Sequence, residues 1–376
     1  MRDDHERAAV GRPTGAAAHA EHAPEQGPCV WTASQLRDAS AWTYRFGTAE
    51  IDEVLAAVRE VRRTVENPIQ IRGIRDFPLP KLGSTLAALR REVLQGRGFV
   101  LLRGLPVQEL SRLDAALAYW GVAVHFGFPT CQNANGHLLG HVTDLGSKSR
   151  RDPAKDARRQ FGGHETDRGY TSRAEFYFHV DYCDIVGLLC LNSAKSGGES
   201  KIVSSATIHN EILRRRPDLL EILYRPFFHS RQNEIPAGAK PYYEMPVFHR
   251  AAGRFTAFYS RTFAEYCAAQ HGVPPLTDRQ LEAFDLVDQL ANDPEFCISM
   301  TMNPGDIQLL NNHVILHTRT AYEDHEDPGR KRHLLRLWLV APEAGPLSDW
   351  YYEFYGGGRR GGIYVPGVVE CAPVQL

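Results

Sequence analysis

The sequence predicts a mainly β fold: a β-sandwich or jelly roll carrying N-terminal and inserted helices. Three observations lead there. The N-terminal third is patterned for helices, whereas the remainder breaks into many short apolar runs divided by Gly and Pro turns. The two patterns do not alternate as βαβ units, which argues against a doubly wound parallel sheet. A His-x-Asp triplet, His179-Val180-Asp181, and a strand-flanked histidine, His317, lie 138 residues apart (317 − 179). Barrel-like folds bring such distant strands together.

Taken in order, residues 1–27 are rich in Ala, His, Glu, Gly and Pro and poor in large apolar side chains. Such a segment buries too little surface to offset its ordering entropy and is expected to be a disordered tail, with 28–376 forming one domain. Helical apolar spacing covers Asp52–Val65, Leu82–Leu94 and Leu110–Phe126. Between the last two, Gly96–Pro106 reads as a helix cap, a short buried strand and a turn. Gln132–Tyr170 is polar and irregular, the length of loop that usually serves function. It is a candidate lid, and Gln132 and Asn133 at its start are candidate ligand-contacting polar groups. Ala206–Leu223 and Leu276–Leu290 read as helices, the second with Thr277 as its cap. Tyr242–Phe263 reads as paired strands, and from Cys297 onward the pattern is strand-like again.

Composition excludes several classes. Lys and Arg number 43 against 45 Asp and Glu, so no global charge points to nucleic acid or an anionic membrane. No apolar run approaches the roughly 20 residues of a membrane span. Seven cysteines form no CxxC pair, as expected in a reducing cytoplasm.

The chemistry concentrates in two stretches. The first, Glu175–Ser205, holds the His-x-Asp triplet, an apolar run and a Gly197-Gly198 turn followed by Glu199-Ser200. On a strand, residues i and i+2 share a face, so His179 and Asp181 would project side by side. With a second histidine they make the 2-His-1-carboxylate set that suits non-haem Fe(II). The second stretch, Met302–Val340, supplies His317 at the end of a strand-like run, with His313 and His333 as rivals of poorer flanks. Arg332, Leu334, Arg336 and Trp338 then share one strand face. A buried guanidinium is costly without an anion, and its planar fork suits a carboxylate.

Taken together, FHVD, KSGGES, PGDIQLLNNHVILHTRTAYED and RKRHLLRLWL resemble the Fe(II)/2-oxoglutarate-dependent dioxygenases of the TauD/TfdA type, including clavaminate-synthase-like members. The resemblance implies a double-stranded β-helix, a jelly roll, with His179, Asp181 and His317 as iron ligands. It implies that Ser200 and Arg332 contact the distal carboxylate of the co-substrate 2-oxoglutarate. Arg336 would take an acidic group of the substrate, and the long loop before Arg332 leaves these two arginine roles open to exchange. The implied partners are O2, 2-oxoglutarate and a small carboxylate-bearing molecule such as an amino acid, with neither nucleic acid nor membrane. The expected outcome is hydroxylation, desaturation or ring closure with release of succinate and CO2. The rival reading is a non-catalytic jelly-roll scaffold.

Overall fold

The computed structural model describes residues 22–146, 169–232, 234–236, 238–355 and 360–375. The loop expected as a lid therefore lies largely outside the described residues.

Strand β1 (Thr43–Arg45) leads into α1 (Thr48–Val61), which buries Val54, Val58 and Val61, spaced to share one helical face. Helix α2 (Gly83–Gln95) ends at Gly96, and β2 (Phe99–Arg103) follows, as the glycine-strand-turn pattern predicts. Helix α3 (Arg112–Ala123) is capped by the Ser111 hydroxyl, which accepts the Asp114 N–H. Strands β3 (Phe128–Thr130) and β4 (Leu139–Val142) come next. Strand β4 lies inside the stretch expected to be irregular; it is short and gains its order by pairing with a later strand.

Strand β5 (Ile185–Asn192), the short β6 (Ser196–Gly197) and β7 (Ser200–Ser204) flank the Gly-Gly turn. The single helix expected over Ala206–Leu223 is two, α4 (Ser205–Arg215) and α5 (Pro217–Leu223). Pro217 lacks the N–H a continuous helix needs, and it opens the second helix instead. Strands β8 (Pro226–Ser230), β9 (Tyr242–Pro246), β10 (Phe248–Ala251) and β11 (Arg254–Ala257) form two hairpin-like pairs. Helices α6 (Arg261–His271) and α7 (Asp278–Asn292) follow, the latter capped by Thr277 as predicted. The chain closes with β12 (Ile298–Met300), β13 (Ile307–Asn311), β14 (Ile315–Arg319), β15 (Tyr322–Glu323), β16 (His333–Val340) and α8 (Asp349–Phe354).

The architecture is thus mainly β with helices. The largest sheet runs β1-β2-β13-β5-β16-β3, with β4 also paired to β16. Period-two alternation gives its faces different tasks. Val100, Leu102, Leu189, Leu309, Leu335 and Leu337 pack with residues of α1, α2 and α3. Phe99, Leu101, Val186, Leu310 and Trp338 share a second core with Ile202, Ile298 and Leu316 of the three-stranded sheet β12-β7-β14. The candidate site lies on this second side.

Residues 22–27 belong to the expected tail yet pack against α4. Asn210 exchanges two hydrogen bonds with the Glu25 backbone, at 2.7 and 2.9 Å, and Arg250 pairs with the Glu25 carboxylate. Polar contacts hold them, which an apolar-burial argument does not detect. No helix among the described residues is long and apolar enough to cross a membrane.

The Pro304-Gly305-Asp306 turn sets the entry to β13. Gly305 has φ of 88°, and a Cβ there would lie 1.9 Å from the Leu105 carbonyl oxygen. Its N–H donates to Cys190 and its C=O accepts from Leu105. Replacing Gly305 with Ala should therefore lower stability by about 1–3 kcal/mol or more, through strained backbone and a backbone clash. Chemical denaturation measures this, and an unchanged midpoint would refute the close approach.

Candidate metal and co-substrate site

Asp181 is not on a strand, contrary to the i, i+2 expectation. The chain from Ser172 to Asp184 runs outside the ladders apart from one residue, His179. That residue exchanges N–H···O=C bonds with His317 of β14 in both directions, each 3.0 Å. The exchange sets the two imidazoles 4.4 Å apart between ring centres. The loop then turns so that the Asp181 carboxylate meets both rings, with Nε2 of His179 at 4.0 Å and Nε2 of His317 at 3.9 Å. One ligand atom from each of His179, Asp181 and His317 falls within 4.8 Å of the others. The Tyr177 carbonyl lies 3.1 Å from Nδ1 of His179 and accepts from it, which leaves Nε2 as the bare nitrogen.

Burial lowers the pKa of His179. It also takes His317 down to about 3, with the neighbouring His179 adding to the effect. Both rings are therefore neutral at neutral pH, with lone pairs free for a metal. Burial pushes Asp181 upward, but Arg336, His317 and His179 together outweigh it and hold the carboxyl below its ordinary range. Two neutral imidazoles and a carboxylate converging on one point suit Fe(II).

Two buried cations follow, one on β16 and one just before it. Arg336 lies on the inner face of β16, while Leu335, Leu337 and Leu339 face the helices; Arg332 immediately precedes the strand, ahead of a register shift between His333 and Leu334. Arg332 is 5% exposed, stacks on Tyr322, and has an Nη1 with no hydrogen-bond partner among the described residues. An orphaned buried guanidinium nitrogen fits a carboxylate. Gly198 lies against it: a Cβ there would sit 3.0 Å from Nε of Arg332, and φ at Gly198 is 77°. The Gly-Gly turn thus makes room for the arginine as well as turning the chain. Arg319, two residues past His317, stacks on the same Tyr322. Burial, and next the charge of Arg332, lowers its pKa to about 10. An anion would relieve this crowding of positive charge. Ser200 is paired across the sheet with Arg319, and its hydroxyl lies 3.0 Å from Oε1 of Gln308.

Arg336 is held on three sides. Its Nε donates to Oε1 of Gln132 at 2.8 Å, and its faces lie against Tyr170 and Trp338. Its Nη1 is 3.4 Å from both Asp181 oxygens, and no other carboxylate pairs with it among the described residues.

The model of the "Taurine catabolism dioxygenase TauD, TfdA family" matches residues 60–338. The chain belongs to the TauD/TfdA dioxygenase family. It is 32% identical to FR-33289 synthase of Streptomyces rubellomurinus, over 84% of this chain and 90% of that protein. It is 30% identical to the taurine hydroxylase-like protein SAT17 of Stachybotrys chartarum, over 86% of each. Among solved structures, asparagine oxygenase in complex with Fe(II), 3-hydroxyasparagine and succinate shares the fold. Its TM-score is 0.59 at 17% identity, covering 80% of this chain and 93% of that one. This family member is accordingly a 2-oxoglutarate-dependent dioxygenase, and nothing supports the scaffold alternative.

The rival histidines have other partners. His313 binds the buried Asp184 at 2.7 Å, and His333 lies between Arg112 and His141. Asn133 structures its own loop by accepting from Asn135 and His137. Gln308, Tyr322 and Arg319 were not singled out in the sequence. Arg319 carried a legible signal, since i and i+2 on β14 put it on the face of His317.

Proposed function

We propose that His179, Asp181 and His317 hold one Fe(II), that Arg332 and Ser200 hold the distal carboxylate of 2-oxoglutarate, and that Arg336 receives a carboxylate of the substrate. The observation that carries the reading is the convergence of two neutral imidazoles and a carboxylate, with Arg336 against the carboxylate and a second buried arginine, Arg332, just before the same strand. The iron, 2-oxoglutarate and O2 together supply the oxidant for a C–H bond, with succinate and CO2 released. We further take the two sheets as a double-stranded β-helix and residues 28–376 as one dioxygenase domain. The cysteine pattern supports the cytoplasm.

The chain's own part is binding and orientation. The Gln132 amide and the Tyr170 and Trp338 rings fix the Arg336 guanidinium, so that only its outer edge faces the site. A small carboxylate, most simply that of a free amino acid or derivative, matches that edge. Asparagine oxygenase, the structural neighbour, carries a hydroxylated amino acid in its complex, which supports this class. The partial exposure of His179, 24%, opens the cluster on one side. Purified protein with Fe(II), 2-oxoglutarate and air should release succinate, faster with a matching member of an amino- and hydroxy-acid panel. No succinate under any condition would refute the reading.

Replacing Arg332 with Ala removes a charge-assisted contact of about 1.5–3 kcal/mol, so 2-oxoglutarate should bind roughly 10- to 150-fold more weakly. Unchanged affinity by calorimetry would move that role to Arg336. Replacing Arg336 with Ala should weaken substrate binding while slow, substrate-free succinate release survives. Equal loss of both activities would place Arg336 on the co-substrate.

A further inference from the structure

With no ladder bonds of its own, the Asp181 backbone is held from the segment that precedes β14. Oδ1 of Asn312 accepts the Asp181 N–H at 3.1 Å. Its Nδ2 donates to Sγ of Cys183 at 3.1 Å, and its backbone N–H donates to the Asp184 carbonyl at 2.9 Å. One asparagine thus grips the loop at both ends.

Behind it sits Asp184, 1% exposed. A carboxylate buried so deeply needs both a counter-charge and several donors. It has them: Nε2 of His313 at 2.7 Å, the Ala341 N–H at 2.8 Å, and Nε and Nη2 of Arg360 at 2.7 and 2.8 Å. Arg360 lies beyond the part of the chain that the family model matches. Close by, the Gly362 N–H donates to the Tyr182 carbonyl at 2.7 Å. The loop Asp181–Asp184 is therefore clamped between the β13–β14 turn and the C-terminal segment.

We propose that Asn312 and Arg360 are positioning residues for Asp181, and that the C-terminal segment is thereby part of the metal site. Asn312 fixes where the Asp181 backbone sits; Arg360, through Asp184, fixes the loop that carries it. Groups that orient a metal ligand commonly govern affinity by 10- to 100-fold without touching the ion. The inference rests on the reading of Asp181 as a ligand, and the test separates the two.

Co(II) serves as the probe, titrated into metal-stripped full-length protein and followed by its visible absorption, with melting temperatures measured alongside. Asn312→Ala and Arg360→Met should weaken Co(II) binding about 10- to 100-fold and change the absorption bands, at temperatures well below melting. Asn312→Asp keeps an acceptor for the Asp181 N–H and should recover most of the affinity; Arg360→Lys should recover part. Lower melting temperatures with unchanged affinity and bands would overturn the inference and leave a merely structural clamp. Should Arg360→Met fail to fold, the Asn312→Ala and Asn312→Asp pair decides. Wild-type affinity in Asp181→Ala would remove the underlying reading of Asp181, whereas weakening there alone would overturn only the role of the clamp.

Discussion

The site depends on two hydrogen bonds, the N–H to C=O exchange between His179 and His317. It is the point at which an irregular loop touches a regular strand. Strand β14 fixes the plane of His317, the exchange transfers that geometry to His179, and the turn after Val180 brings Asp181 back to both. Register makes the arrangement unforgiving: a slip of one residue along β14 would send His317 to the opposite face. The large sheet, the helices behind it and the Gly305 turn all act to hold these strands in place.

Electrostatics supplies the second constraint. Arg332, Arg336 and Arg319 are each buried; Arg319 and Arg332 lie against the same Tyr322 ring, and Arg336 faces Asp181. Native interiors pair their buried charges. A pocket that gathers guanidinium groups and leaves Nη1 of Arg332 without a partner is arranged for anions that arrive from outside. A dicarboxylate co-substrate and an acidic substrate are anions of that kind, and aromatic rings on the arginine faces confine them to the open edges.

Much of this was legible in the sequence because it rests on short periods. Leu334, Arg336 and Trp338 alternate with Leu335 and Leu337, so their common face followed from period two, whereas Arg332 lies before the strand and a register shift. Gly197-Gly198 and Pro304-Gly305 marked turns, and Thr277 marked a helix start. Three features did not follow from local pattern. The extended run at His179 looked like a strand, yet its neighbours are too irregular for a ladder and only isolated bridges from His179, to Ser260 and His317, form. Asp184, Asn312 and Arg360 make contacts across 129 and 176 positions of sequence, with no periodicity to reveal them. Arg336 was assigned to an acidic group of the substrate, and the structure also turns it toward Asp181, a proximity set by the loop and by no strand pattern.

The central claim is that three side chains from two distant segments make one iron site. Anaerobic titration of the metal-stripped protein with Fe(II), comparing the wild type with His317→Ala, tests it most directly. The account predicts one equivalent bound per chain in the wild type and a marked loss of affinity in the variant. Equal stoichiometry and affinity in both proteins would contradict it.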